Sequence, residues 1–245
     1  MYGWRARIGL IVPSSNTTME MEFHEAIPVG VSIHTARMTL PEVDDMEKKK
    51  KAFLKMNEAV LSAAREVSSV EPNVIVYGCT LGGVLEGLAH DLELKQTIEE
   101  STGIATVAVS SVVIDSMKIL GMSRIGMATP YTDEFNELEK EFIEKSLPGV
   151  KVMRMLGLGL VSNLPKGRLN PFLPYRVVMD VDSKLCDGLF ISCTNLRTFE
   201  IIDALEKDLD KPVVTSNQAA LWGALREAGV SGSIDGYGRL LREHL

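Results

Sequence analysis

The chain has 245 residues, 45% apolar and 24% charged, with a net charge of −7, which is ample material for a core and argues against a nucleic-acid surface. No apolar run reaches the roughly 20 residues that span a bilayer, and no membrane partner is expected. Three cysteines, Cys79, Cys186 and Cys193, are too few and too odd for a secreted disulfide scaffold, so free thiols in a cytoplasmic protein are expected.

The N-terminus, "MYGWRARIGLIVPSSNTTME", has too short an apolar stretch for a signal peptide, and "RIGLIVP" reads as a buried strand. Further strands are expected at "VSIHTARMTL", "NVIVYGC", "IATVAVS", "RIGMATP", "VKVMRMLGLGL", "GLFISC" and "KPVVTS". Between them, helix patterns cover 46–68, 82–100, 111–120, 131–146, 172–185, 196–209 and 217–228, with stops at Gly121, Pro148–Gly149 and Gly229. The basic cluster "EKKKK" at 47–51 opens an amphipathic helix and reads as a solvated face. Strands alternating with helices predict an α/β protein with parallel sheets.

The order repeats. "RIGLIVPSSNTTME" is echoed by "RIGMATPYTDEFNE", "NVIVYGCTLGG" by "DGLFISCTNLRT", and "TGIATVAVSSVVI" by "DKPVVTSNQAALW". This predicts two pseudo-symmetric parallel-sheet domains, 1–115 and 116–215, with the tail 216–245 available to complete the first. Cys79 and Cys193 then occupy matched positions at a strand end, each before a threonine and an expected helix. Ligands of open parallel sheets bind beyond the carboxyl ends of the strands, so a cleft between the domains would hold both thiols. Cys186 has no counterpart and reads as core. A helix N-terminus beside each thiol should favour thiolate.

Hydroxyls and amides crowd the other strand ends: Ser14, Ser15, Thr17 and Thr18, then Thr129, Tyr131 and Thr132, with Asn16, Asn163, Asn195 and Asn217 in similar places. Neutral donors in such numbers suit a small carboxylate. "GCTLGG" lacks the Lys-Ser/Thr of a phosphate loop, no GxGxxG follows a strand, and His24, His34, His90 and His244 match no zinc spacing. Chemistry without cofactor or metal is the simpler reading. The segment 164–176, "LPKGRLNPFLPYR", reads as a substrate-covering loop.

"GLIVPSSNTTME", "YGCT", "TPYTDE", "GLVSN" and "ISCTN", in this order, resemble the maleate cis-trans isomerases of the aspartate/glutamate racemase superfamily, relatives of the arylmalonate decarboxylases. The resemblance covers nearly the whole chain. The decarboxylases lack the first cysteine, so Cys79 argues against plain decarboxylation. Amino-acid racemases read Cys-Asn-Thr, unlike Cys-Thr-Leu and Cys-Thr-Asn here. The resemblance implies cofactor-independent isomerisation of maleate to fumarate, or of a similar small unsaturated dicarboxylate. Cys79 would be the nucleophile, and Cys193 a proton carrier or a stabiliser of the intermediate. Asn16, Tyr131 and Asn163 would contact the carboxylates, with Ser14, Thr80, Leu81 and Thr194 lining the cleft. It also implies a homodimer or higher homo-oligomer. Leu81 departs from the pattern, since many relatives carry serine there. Two alternatives stay open: a racemase or related two-cysteine enzyme acting on an amino-acid, hydantoin or ectoine-derived substrate, or a binding protein without turnover.

Overall fold

The computed structural model describes residues 1–85 and 87–245. The apolar runs form the strands β1 (Ala6–Pro13), β2 (Val31–Met38), β3 (Val74–Tyr77) and β4 (Thr106–Ala108), all parallel, in the order β2-β1-β3-β4. β5 (Arg124–Thr129), β6 (Lys151–Gly157), β7 (Gly188–Ile191) and β8 (Val213–Thr215) repeat that order as β6-β5-β7-β8. Seven strands lie inside their expected stretches and β1 begins one residue ahead of its own, at Ala6, so the sequence echo is an architectural repeat. β3 and β7 are buried along their whole length, as strands covered on both faces must be.

The helices are α1 (Met19–Ala26), α2 (Met46–Asn57), α3 (Val60–Ser68), α4 (Thr80–Val84), α5 (Leu88–Thr102), α6 (Val109–Ile119), α7 (Asp133–Ser146), α8 (Asn163–Gly167), α9 (Phe172–Val181), α10 (Phe199–Leu209), α11 (Ser216–Glu227) and α12 (Gly238–Glu243). α1 and α12 fall outside the expected helix ranges, and four expected stretches differ from what forms. The stretch 46–68 is two helices meeting at Glu58–Ala59, and 82–100 is also two. The segment expected as a loop at 164–176 carries α8 and the start of α9. The helix expected from 196 begins only at Phe199, because a side chain from the other half caps it there. That side chain is Glu22 of α1, which accepts hydrogen bonds from the Thr198 and Phe199 amides at 2.5 and 2.9 Å. Its other oxygen accepts from the Asn217 amide group at 2.5 Å.

The halves interlock through their last helices. α11 packs on α6, β3 and β4, while α6 packs on β8. Gly223 makes the approach possible, since a Cβ there would stand 2.4 Å from the Val112 side chain. Beyond α11, Gln218 donates to the Tyr237 carbonyl at 2.6 Å and Trp222 to the His244 carbonyl at 2.9 Å, fastening the tail. Among the described residues, no helix is long and apolar enough to cross a membrane.

Candidate active site

β3 and β7 end facing one cleft, and Cys79 and Cys193 both line it. The remaining lining comes from both halves: Pro13, Asn16, Phe53, Thr80, Leu81, Tyr131, Asn163, Lys166, Thr194 and Asn195. The cavity is small, about 30 Å³. A larger cleft of about 670 Å³ lies along the β4 edge, between Lys118 and Trp222, but it holds neither thiol nor any of the expected site residues.

Of the nine residues expected at the site, eight come together. Ser14 does not. It is exposed, and its Oγ accepts from the Leu40 amide at 3.0 Å, which fixes the chain after β2. Asn16 both caps and lines. Its Oδ1 accepts from the Thr18 and Met19 amides at the start of α1, each at 3.0 Å, and its Nδ2 donates to Thr194 Oγ1 at 3.1 Å. Thr194 in turn donates to the Gly78 carbonyl at 3.2 Å, next to Cys79 and in the other half. Asn195 binds the Thr17 amide at 2.8 Å and the Asn163 carbonyl at 2.9 Å, and Asn163 Nδ2 donates to Ser15 Oγ at 2.9 Å. Amides thus lock the two strand-end loops together before any ligand enters.

The thiols are matched in sequence but not in backbone. Cys79 is extended (φ −141°, ψ 106°) and caps α4, its Sγ accepting from the Gly82 amide at 3.3 Å. Cys193 has φ +108°, a conformation side chains rarely adopt, held by its amide's bond to Ser216 Oγ at 3.0 Å. Strain of this kind costs on the order of 1–3 kcal/mol and persists where its surroundings enforce it. Cys193 also precedes five residues without helix, 194–198, rather than a helix start. Its Sγ accepts from the Asn195 amide at 3.4 Å.

Each sulfur has a buried tyrosine beside it: the Tyr77 hydroxyl for Cys79 and the Tyr131 hydroxyl for Cys193. Tyr77 is positioned by donating to Asn57 Oδ1 at 2.6 Å, and Asn57 Nδ2 donates to the Gly82 carbonyl at 3.0 Å. These donors do not make thiolates. Burial dominates and pushes the Cys79 thiol up to about 12, with Cys193 as a further adverse charge against the help of Gly82, Lys49 and Tyr77. Burial also raises Cys193, against the help of Lys166 and Tyr131. This corrects the expectation that helix termini would favour thiolate: with no ligand bound, both sulfurs rest as thiols at neutral pH.

Two lysines escaped the sequence reading. Lys49 is fully buried, not part of a solvated face, and Lys166 is 1% exposed. The Lys166 ammonium sits 4.9 Å from the centre of the Tyr131 ring and donates to the Val161 carbonyl at 3.2 Å. The signal was present for Lys49, because Lys49, Ala52, Phe53 and Met56 share the buried stripe of α2 at helical spacing.

Behind Cys193, Ser192 donates to Glu139 Oε1 at 2.5 Å, while Glu139 Oε2 has no partner. Burial therefore raises this carboxyl from 4.5 to about 7. Between those values the unfolded chain releases the proton and the native state keeps it, so native stability falls as pH rises. The loss is roughly 3 kcal/mol and is complete just above the native value. Glu139→Gln is expected to flatten this part of the stability–pH curve in urea titrations at pH 4.5 to 8; an unaltered slope refutes the assignment.

Among the described residues, no group of three or more His, Cys, Asp or Glu is placed to hold a metal ion. The fold and site define a class: an enzyme built from paired parallel α/β halves, with two thiols at equivalent strand ends lining one cleft. The chain belongs to the arylmalonate decarboxylase family, whose model matches residues 8–241. It is 30% identical to the arylmalonate decarboxylase of Bordetella bronchiseptica over 190 residues, 76% of this chain and 78% of that one. It is 27% identical to the maleate isomerase of Geobacillus stearothermophilus over 249 residues, 96% of each chain. The fold also matches a mutant Nocardia farcinica maleate cis-trans isomerase with a covalently bound succinylcysteine intermediate, at a TM-score of 0.89 and 22% identity over 98% of this chain and 99% of that one. Within the family, this enzyme is similar to the maleate isomerases over its whole length.

Proposed function

We propose that this enzyme converts maleate to fumarate through covalent addition of Cys79. The observation that carries the reading is the pair of thiols facing one cleft from equivalent strand ends. A decarboxylase needs one proton carrier, whereas addition and elimination across a double bond employ a nucleophile and a proton carrier together.

Maleate binds with its carboxylates toward Asn16, Tyr131 and Asn163 and the amides behind Thr80 and Thr194. Cys79 sulfur bonds to one alkene carbon, and the π electrons move toward the neighbouring carboxylate as an enediolate. Fixed donors stabilise that charge without reorganising. Cys193 delivers its proton to the neighbouring carbon and receives the one that Cys79 gives up. The former double bond is now single and rotates. As the C–S bond breaks, Cys193 hands its proton back to the departing Cys79 sulfur and takes the carbon-bound proton in its place, so fumarate leaves and both thiols are restored. Sulfur and proton are returned, so no external oxidant or reductant is consumed.

Leu81 is buried and its side chain offers no donor, so the groups that favour the Cys79 anion are the Gly82 amide, Lys49 and the Tyr77 hydroxyl. The test is direct. Purified protein with maleate, followed by proton NMR of the vinyl signals, should show fumarate growing as maleate falls. Absence of fumarate, with proton exchange in an amino acid or a hydantoin instead, would replace this reading with a racemase.

A further inference from the structure

Lys49 and Lys166 are the only lysine or arginine side chains buried among the described residues, and they sit at the same place. Lys166 lines the cleft, and Lys49 lies against Phe53, which lines it, its ammonium 5.3 Å from the ring centre. Lys49 Nζ has no hydrogen-bond partner. Burying one cation without a partner is costly, and burying two close together is costlier. The Lys166 ammonium has one hydrogen bond, to the Val161 carbonyl, and Lys49 has none, so neither charge is matched by a bonded carboxylate.

The charges around them are few. Glu42 acts on both lysines from an exposed position while its carboxylate binds the Asn163 amide at 2.9 Å. The two sulfurs act on both as well. Burial, followed by the other lysine, depresses Lys49 to about 8, so it remains largely charged at neutral pH. Lys166 lines the cleft with Lys49 behind Phe53, beside thiols that are neutral at rest, and among the described residues no carboxylate lines it.

Resting on the isomerase reading above, we propose that Lys49 and Lys166 set the substrate class: two buried ammonium groups that admit a small cis-dicarboxylate as its dianion and discriminate against the matching monoanion. As the enediolate forms, charge concentrates on one carboxylate, and a fixed ammonium nearby is stronger there than in water. In a protein of net charge −7 this local pair also offsets the repulsion that a dianion meets on approach.

The test compares a dianion with a monoanion of the same shape. In calorimetric titrations, wild type should bind succinate more tightly than its monoamide. Lys49→Met and Lys166→Met should each weaken succinate by about 10- to 100-fold and leave the monoamide nearly unchanged. The same collapse of preference should appear in turnover of maleate against maleamate. Each methionine variant should also melt higher than wild type, because an unmatched buried charge is removed. Equal succinate-to-monoamide ratios in wild type and variants, or a lowered melting temperature with the preference intact, would overturn the proposal. If wild type binds succinate with this preference yet leaves maleate unchanged, the isomerase reading fails while the charge assignment stands.

Discussion

Cys79→Ala is expected to abolish conversion of maleate, lowering kcat at least about 10⁴-fold, while the protein folds and still binds succinate. The sulfur is the only atom lost. Its surroundings are held by other contacts: Tyr77 by Asn57, Asn57 by the Gly82 carbonyl, and Thr194 by the Gly78 carbonyl. The loss is therefore chemical rather than architectural. Cys79→Ser sharpens the point, because a hydroxyl occupies almost the same space but is far harder to deprotonate in a site that already pushes a thiol up to about 12. Serine should thus be nearly as inactive as alanine. The measurement is initial fumarate formation by NMR, alongside circular dichroism and succinate binding. Residual activity within about tenfold of wild type would remove Cys79 from the nucleophile's role.

Much of this arrangement was legible in the chain. Apolar runs of the right length mark all eight strands, and the echo of "YGCT" in "ISCT" places two sulfurs at equivalent strand ends. Local signals work for these because strand runs and strand-end residues lie in single short windows. Features decided across the two halves were not legible. α10 begins at Phe199 because Glu22, 177 residues away, takes its first amides. Cys193 has a positive φ because Ser216 from the next strand end holds its amide. The protonation of the thiols is not legible in the sequence for a related reason. Amide donors are local and visible as motifs, whereas burial is a property of the whole cleft, and burial wins. Lys49 was hidden by its company, since it is one of four consecutive lysines of which only the one on the apolar stripe is buried.

Cys193→Ser is expected to stop the cycle after addition and leave a stable adduct on Cys79. Serine can occupy the strained position, since the amide bond to Ser216 that enforces it does not involve the side chain. What the substitution removes is a group able to take a proton back from carbon. A thiol beside Lys166 and Tyr131 reaches its anion far more readily than a hydroxyl in the same place. Addition can still draw a proton from the surrounding hydroxyls, but elimination requires the proton to leave, so the sulfur–carbon bond persists. Turnover should fall about 10²- to 10⁴-fold, the usual worth of a positioned acid–base group. Intact-protein mass spectrometry after incubation with maleate should show the gain of one maleic acid, and peptide mapping should place it on Cys79. The double variant Cys79→Ala, Cys193→Ser should gain nothing. An adduct on the remaining single cysteine, Cys186, in that double variant would show that labelling is unspecific. In the reciprocal variant Cys79→Ser, an adduct on Cys193 with turnover retained would exchange the roles of the two thiols. The strained backbone gives a reason to expect the first assignment. Cys79 sits in relaxed, extended geometry at the start of α4, whereas Cys193 is held at φ +108° by the bond from its amide to Ser216.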